Sequence, residues 1–185
     1  MTDITEESNY NKWNKWYINS KRDEPIPYVD TETYSKGNTY LMNCNTVEDW
    51  GCGMGWFRKI CTAKNYIGID GSDTKHADVK ADLTKYVSEC EGLYMRHILE
   101  HNFEWKSILE NACKSFTKKM VLVLFTPLVE KTTTICINSI NVPDISFCKK
   151  DITDIFDKYD INYSMETIKN SATQYNIEYI FYLEK

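Results

Sequence analysis

The sequence predicts an α/β fold with a mainly parallel sheet, on three observations. A short strand candidate over 46–49 runs straight into three alternate glycines, Gly51, Gly53 and Gly55. A second apolar stretch, Tyr66 to Asp70, ends in a carboxylate. The run Met120 to Phe125 is continuously apolar and is stopped by Thr126 and Pro127, the pattern of a central parallel strand covered on both faces.

The remaining elements follow in chain order. Tyr10, Trp13, Trp16 and Tyr17 fall at helical spacing and predict a short amphipathic helix. Pro25 and Pro27 favour an extended connection after it. Residues 1–45 thus read as an amino-terminal extension, packed on the core or lidding it, and residues 46–185 as the main domain. A helix should start at Trp56, with Phe57, Ile60 and Cys61 towards the sheet. Asp78 to Leu83 holds a short third strand, and Gly92 to Met95 a fourth. From Glu104 to Phe116, Trp105, Ile108, Leu109, Ala112, Cys113 and Phe116 make one apolar stripe, so this is the clearest helix. Thr133 to Asn138 and Glu178 to Leu183 are strand candidates, with a polar helix-like stretch, Asp151 to Tyr159, between them.

Composition narrows the function classes. With 42% apolar and 26% charged residues, the 185-residue chain can fill one sizeable core. Its net charge of -5 argues against a nucleic-acid partner, and the pairs Lys118-Lys119 and Lys149-Lys150 read as solvated surface. No run reaches the roughly 18–20 apolar residues of a membrane span. Met1 to Asn14 is polar and has no signal-peptide core. The seven cysteines include no C-x-x-C pair, so they are expected to be small apolar residues in a reducing, cytoplasmic compartment, with no structural zinc.

The glycine turn carries the first chemistry. Gly51 and Gly53 allow a ligand to approach backbone that a side chain would block. Amides at the start of the next helix can meet an anion. Asp49 can fix the turn or accept a hydrogen bond from an ammonium, and Asp70 stands where a carboxylate holds ribose hydroxyls. The spacing is G-x-G-x-G, short of the dinucleotide fingerprint, so a different cofactor fits it better. The plain alternative is a tight turn with no ligand.

His97, Glu100 and His101 crowd into five residues after the fourth strand, where α/β enzymes place reactive groups. Together they spell H-x-x-E-H, which on a continuous helix would hold zinc with Glu100 as base. Asn102-Phe103-Glu104 reads instead as the start of a new helix, which counts against a zinc hydrolase. The structural alternative is one histidine capping that helix and the other merely exposed.

Four segments carry a resemblance. Glu48-Asp49-Trp50-Gly51-Cys52-Gly53-Met54-Gly55 resembles the first motif of class I S-adenosylmethionine-dependent methyltransferases. Tyr66 to Ser72 resembles their second strand and its ribose-binding acid, and Asp82-Leu83 the acidic position beside adenine. Met95 to His101 resembles the segment after the fourth strand in small members, including those found with glycan-building genes. The chain departs from the pattern in the bulky Trp50, Met54 and Trp56 and in the short stretch from Asp70 to Asp82. The resemblance implies a Rossmann-like sheet of order 3-2-1-4-5-7-6 with an antiparallel last strand. It implies S-adenosyl-L-methionine as cofactor, contacted by Asp49, Gly51, Cys52, Gly53, Gly55 and Trp56. Asp70, Gly71, Ser72, Asp82, Leu83 and Arg96 complete that set.

The expected activity is methyl transfer to an oxygen of a small-molecule or glycan acceptor, a sugar hydroxyl in particular. His101 is the preferred base, with His97 shaping the pocket and Glu100 setting a histidine tautomer. Arg96, Thr126, Trp13 and Tyr10 are the expected acceptor contacts, the aromatics serving as a wall or lid. Other small-molecule or protein methyltransferases, and a cofactor-binding module without catalysis, remain alternatives.

Overall fold

The computed structural model describes residues 9–20, 24–29 and 31–185. The first eight residues of the polar amino-terminal stretch lie outside them. Five helices, α1 (Asn9–Ser20), α2 (Glu32–Leu41), α3 (Trp56–Ile60), α4 (Trp105–Ser115) and α5 (Lys149–Lys158), accompany nine strands among the described residues.

Seven strands form one sheet in the order β3-β2-β1-β4-β5-β9-β8. These are β1 (Thr46–Trp50), β2 (Asn65–Asp70), β3 (Val79–Lys80), β4 (Cys90–Arg96), β5 (Phe116–Leu124), β8 (Asn162–Lys169) and β9 (Ile177–Glu184). The first five run parallel, and β9 runs antiparallel to both β5 and β8. Counting within this sheet, the expected order 3-2-1-4-5-7-6 and the antiparallel last strand are both present.

The alternation of β5 divides the core. Met120, Leu122 and Leu124 pack with Ile108 and Leu109 of α4 and Ile152 and Phe156 of α5. Val121 and Val123 pack on the other face with Tyr34 and Leu41 of α2 and Phe57 of α3. Helices on both faces explain why that strand is apolar without a break.

Three elements differ from the sequence reading. Helix α2 was not foreseen, because Gly37 interrupts its pattern. That glycine lets the helix sit on the ring of Tyr94, which a β-carbon there would strike. Strand β8 was also missed, since an edge strand with mostly solvated side chains lacks an apolar run. The strand expected over 133–138 forms as β6 (Thr133–Ile137), but it pairs only with β7 (Pro143–Ser146) in a separate hairpin. The short connection after β2 contains no helix, in keeping with its length. No helix among the described residues is long and apolar enough to cross a membrane.

Candidate active site

A cleft of about 410 Å³ opens at the carboxyl ends of β1, β2 and β4, under α1. Its floor is the glycine turn. Gly51, Gly53 and Gly55 all have left-handed φ angles, of 72°, 50° and 71°. The amides of Gly51 and Cys52 donate to the Ile69 carbonyl at 2.7 and 3.1 Å, laying the turn across the end of β2. Thr74 Oγ1 donates to the Gly53 carbonyl at 2.6 Å and pins the far side.

Asp70 is the hub of this half. Its Oδ2 accepts from the Gly53 amide at 3.0 Å, and its Oδ1 from the amide and hydroxyl of Ser72 at 2.8 and 2.5 Å. The Gly71 amide adds to these donors, so the turn after β2 is wrapped around one carboxylate. Burial raises the pKa of Asp70 despite those donors. Asp49 accepts a 2.6 Å hydrogen bond from Tyr66, and burial pushes its pKa up to about 7, with Asp70 adding to the rise. Asp82 accepts from the amide and hydroxyl of Thr84 at 3.0 and 2.7 Å and so caps the next turn.

The cleft is lined by Asp49, Gly51, Cys52, Gly53 and Asp70, and by Gly71, Ser72, Asp82 and Leu83. Two expected cofactor residues lie elsewhere. Gly55 precedes α3 and faces His76, while Trp56 packs with the α2-side core. Both support the turn from outside the cleft.

The other half is built on the end of β4. Arg96 lines the cleft, but its Nη2 donates to Glu178 at 2.8 Å, its Nε to Thr33 at 2.9 Å and its Nη1 to Tyr34 at 3.2 Å. Its charge is therefore met by a carboxylate that is wholly buried. His97, at φ 57°, turns the chain and brings its Nε2 to 2.8 Å from the same Glu178 oxygen. Burial, then Arg96 and His101, hold His97 well below the usual histidine range, so it is neutral near pH 7.

A single 3-10 turn, Leu99–His101, follows. Glu100 is fully buried; its Oε1 accepts from the Phe125 amide at 2.6 Å, and burial pushes its pKa up to about 7. It anchors the turn to the end of β5 and does not reach the cleft. His101 does reach it, and its Nδ1 lies 2.9 Å from the Pro143 carbonyl and 3.3 Å from Asp144. Thr126 is also outside the cleft, its hydroxyl donating to the Ile145 carbonyl at 2.7 Å. The continuous helix that a zinc-hydrolase reading needs is absent, and the two histidines engage different partners. Among the described residues no cluster of three His, Cys, Asp or Glu forms a metal site.

Helix α1 roofs both halves. Asn9 donates to the His101 carbonyl at 2.8 Å, Asn14 to Asp73 at 3.0 Å and Lys12 to the Asn141 carbonyl at 2.7 Å. Three loops from different parts of the chain are thereby tied to one helix. The Trp13 ring lies 5.3 Å from that of His101, and Tyr10 sits at the rim beside Gly71. Tyr17 and Tyr28 meet hydroxyl to hydroxyl at 3.3 Å over Gly53. Glu178, Asp144 and Tyr28 were not found from sequence, and Tyr17 was read only as part of the α1 stripe; each gains its place at the cleft through tertiary contact.

No protein-family model and no curated protein sequence matches the chain. Solved structures do resemble it. A 1,6-didemethyltoxoflavin-N1-methyltransferase from Burkholderia thailandensis, with bound 1,6-didemethyltoxoflavin and S-adenosylhomocysteine, superposes with a TM-score of 0.72 at 10% identity, over 95% of this chain and 86% of that one. A magnesium protoporphyrin IX methyltransferase from Synechocystis gives 0.66 at 13% identity, over 95% and 93%. An N-methyltransferase from Bradyrhizobium japonicum gives 0.63 at 10% identity, over 95% and 98%. The chain has the fold of S-adenosylmethionine-dependent methyltransferases.

Proposed function

We propose that the chain is an S-adenosyl-L-methionine-dependent methyltransferase. The observation that carries the reading is Asp70, a buried carboxylate at the end of β2 that holds the Gly53 amide and lines the cleft. The cleft volume of about 410 Å³ also falls in the usual range for small-ligand sites. The structural neighbours bind S-adenosylhomocysteine or are named methyltransferases, which supports the same cofactor here.

When bound, the cofactor supplies an electrophilic methyl group on a sulfonium. Asp70 would hold its ribose hydroxyls, Asp49 its ammonium, and Asp82 with Leu83 would border its base. The glycine turn brings backbone to the cleft wall because Gly51 and Gly53 carry no side chain of their own. On the acceptor side, His101 takes the acceptor proton. Trp13 and Phe125, with ring centroids 5.3 and 5.5 Å from His101, exclude water and offer apolar faces. A sugar face stacks on such rings, so a sugar hydroxyl of a glycan or glycan precursor is our choice of acceptor. The seven free cysteines fit a reducing cytoplasm.

Calorimetry tests the cofactor assignment. S-Adenosylhomocysteine should bind and NAD should not. Asp70→Ala should weaken binding by roughly 1–3 kcal/mol, the cost of unpaired buried groups. No heat from the folded wild type at millimolar ligand rejects the reading.

A further inference from the structure

The β6–β7 hairpin stands apart from the main sheet, yet it reaches the cleft at one point, beside His101. We propose that Asp144 is a positioning residue, which fixes His101 with its proton on Nδ1 and its lone pair on Nε2, so that Nε2 takes the proton of an acceptor hydroxyl. This rests on the methyltransferase reading.

Two observations point the same way. The Nδ1 atom of His101 has the Pro143 carbonyl at 2.9 Å and Asp144 Oδ1 at 3.3 Å. Both are acceptors only, so the proton of the neutral ring must sit on Nδ1. Independently, Asp144 is 2% exposed and its Oδ1 makes no hydrogen bond of its own. Its other oxygen is held by the Tyr175 hydroxyl at 3.0 Å and the Cys136 thiol at 3.7 Å. A buried carboxylate oxygen is thus left facing the imidazole, ready for the charge that appears when Nε2 is protonated.

Of the other groups around the ring, Glu100 adds to the pull on that charge, whereas Trp13, Phe125 and His97 do not. Trp13 of α1 and Phe125 after β5 present rings. His97 is neutral and bound to Glu178. Glu100, next in the chain, bonds the Phe125 amide and has its pKa raised by burial to about 7. Burial works against a charged His101, but Asp144, the Pro143 carbonyl and Glu100 together outweigh it and hold the ring above its ordinary value. Asp144 itself lies below the usual carboxylate range: burial opposes this, and His101, Tyr175 and Cys136 prevail.

The chemistry balances within the site. The hydroxyl proton passes to Nε2, an oxygen pair forms the bond to the methyl carbon, and the pair of the breaking carbon–sulfur bond stays on sulfur. The imidazolium then returns its proton to water. A base of this kind serves hydroxyl acceptors, which are poor nucleophiles until the proton is leaving.

Histidine-labelled full-length protein, titrated by ¹⁵N and ¹³C NMR, tests the pair. The signals of the three histidines are assigned with His76→Gln and His97→Gln. His101 should show the Nδ1-protonated tautomer and a midpoint above that of free imidazole. In Asp144→Asn the midpoint should fall and the tautomers mix, and Asp144→Glu should restore part of both. An unchanged midpoint and tautomer in folded Asp144→Asn overturns the proposal. If that variant does not fold, Tyr175→Phe decides. Removing a donor from Asp144 should raise the midpoint, and no movement overturns the pair. Transfer to methyl glycosides and simple phenols, followed by S-adenosylhomocysteine release, should fall roughly 10²- to 10⁴-fold in kcat in Asp144→Asn with little change in KM, the scale of losing the carboxylate that orients a histidine base. Failure of the methyltransferase reading shows separately, as absent S-adenosylhomocysteine heat in the wild type.

Discussion

The two halves of the cleft are put together differently. The β1–β2 half draws on three short runs, 49–53, 70–74 and 82–84, and most of its hydrogen bonds close within or between them. The β4–β5 half gathers Thr33, Arg96, His97 and Glu178 into one network, and His101, Asp144 and Tyr175 into another. The first is a local device that a loop motif can encode. The second is a tertiary device whose parts mean nothing until the sheet, α2 and the hairpin have assembled. A local device should tolerate changes elsewhere, whereas a tertiary one couples chemistry to fold stability.

The sharpest separation of the halves is His101→Ala. Methyl transfer should fall by roughly 10²- to 10⁴-fold, the range for losing a positioned base. S-Adenosylhomocysteine affinity, set by the other half, should stay within about twofold of wild type (RT ln 2 being well below the worth of one hydrogen bond). If His97→Ala alone is severe, the roles of the two histidines are exchanged. If both variants lose cofactor affinity, the halves are not separable.

Next in size is the buried ion pair. Arg96→Met leaves Glu178 without its cation in a site with no solvent, and should cost about 3–5 kcal/mol of stability in urea unfolding. Replacing both, as Arg96→Met with Glu178→Leu, should recover much of that loss, because an apolar pair pays no desolvation penalty. A single variant as stable as wild type would show that the tertiary half is not coupled to the fold.

The glycines give a smaller effect and divide the other half internally. Gly51→Val places a branched side chain at positive φ against Ile98 and should cost roughly 1–3 kcal/mol in stability together with cofactor binding. Gly53→Ala also puts a β-carbon at positive φ, 50°, but its nearest neighbours are the hydroxyl of Tyr17 at 3.0 Å and the ring of Tyr28 at 3.3 Å, both on the amino-terminal segment. It should lift that roof more than it harms the sheet, reported by a gain in Trp13 and Trp16 fluorescence quenching by acrylamide. Equal melting temperatures for the two variants would contradict this ranking.

The same contrast explains what could be read in the sequence. Glycine spacing, Asp70 and the apolar run of β5 were legible because each records a local demand: positive φ, a strand-end carboxylate, burial on both faces. The sheet order followed from resemblance to a fold with those marks. His97 and His101 drew notice as residue types, but their partners did not. Glu178 begins an apolar strand and Asp144 follows a proline in a hairpin, so neither has a neighbour in sequence that announces it. Trp56 and Thr126 were assigned to the site by position along the chain, and turned away because side-chain direction depends on packing that spacing does not encode. Helix α2 was hidden for a related reason, since its Gly37 answers to Tyr94 across the interface and not to helix propensity.

Asp49 supplies the mildest test, and one with a sign. Burial raises its pKa from 3.8 to about 7 in the fold. The folded state therefore holds a proton that the unfolded chain has released between those values. Its contribution to stability is fully present below about pH 4 and is lost as pH rises through about 7. Asp49→Asn keeps an oxygen for the Tyr66 hydroxyl and removes the titration. The variant should lose the downward slope of stability between pH 5 and 7 that the wild type shows in urea unfolding. An ammonium-bearing ligand reverses the sign, because it prefers the ionised carboxylate. S-Adenosylhomocysteine affinity of the wild type should rise from pH 6 to pH 7.5 by about tenfold or less, one pKa unit of coupling, with protons released on binding. In Asp49→Asn that rise should vanish while binding through Asp70 persists. A rise that survives the substitution would move the titrating group out of the glycine half, to Glu100, whose pKa is also near 7 but which sits in the β4–β5 half.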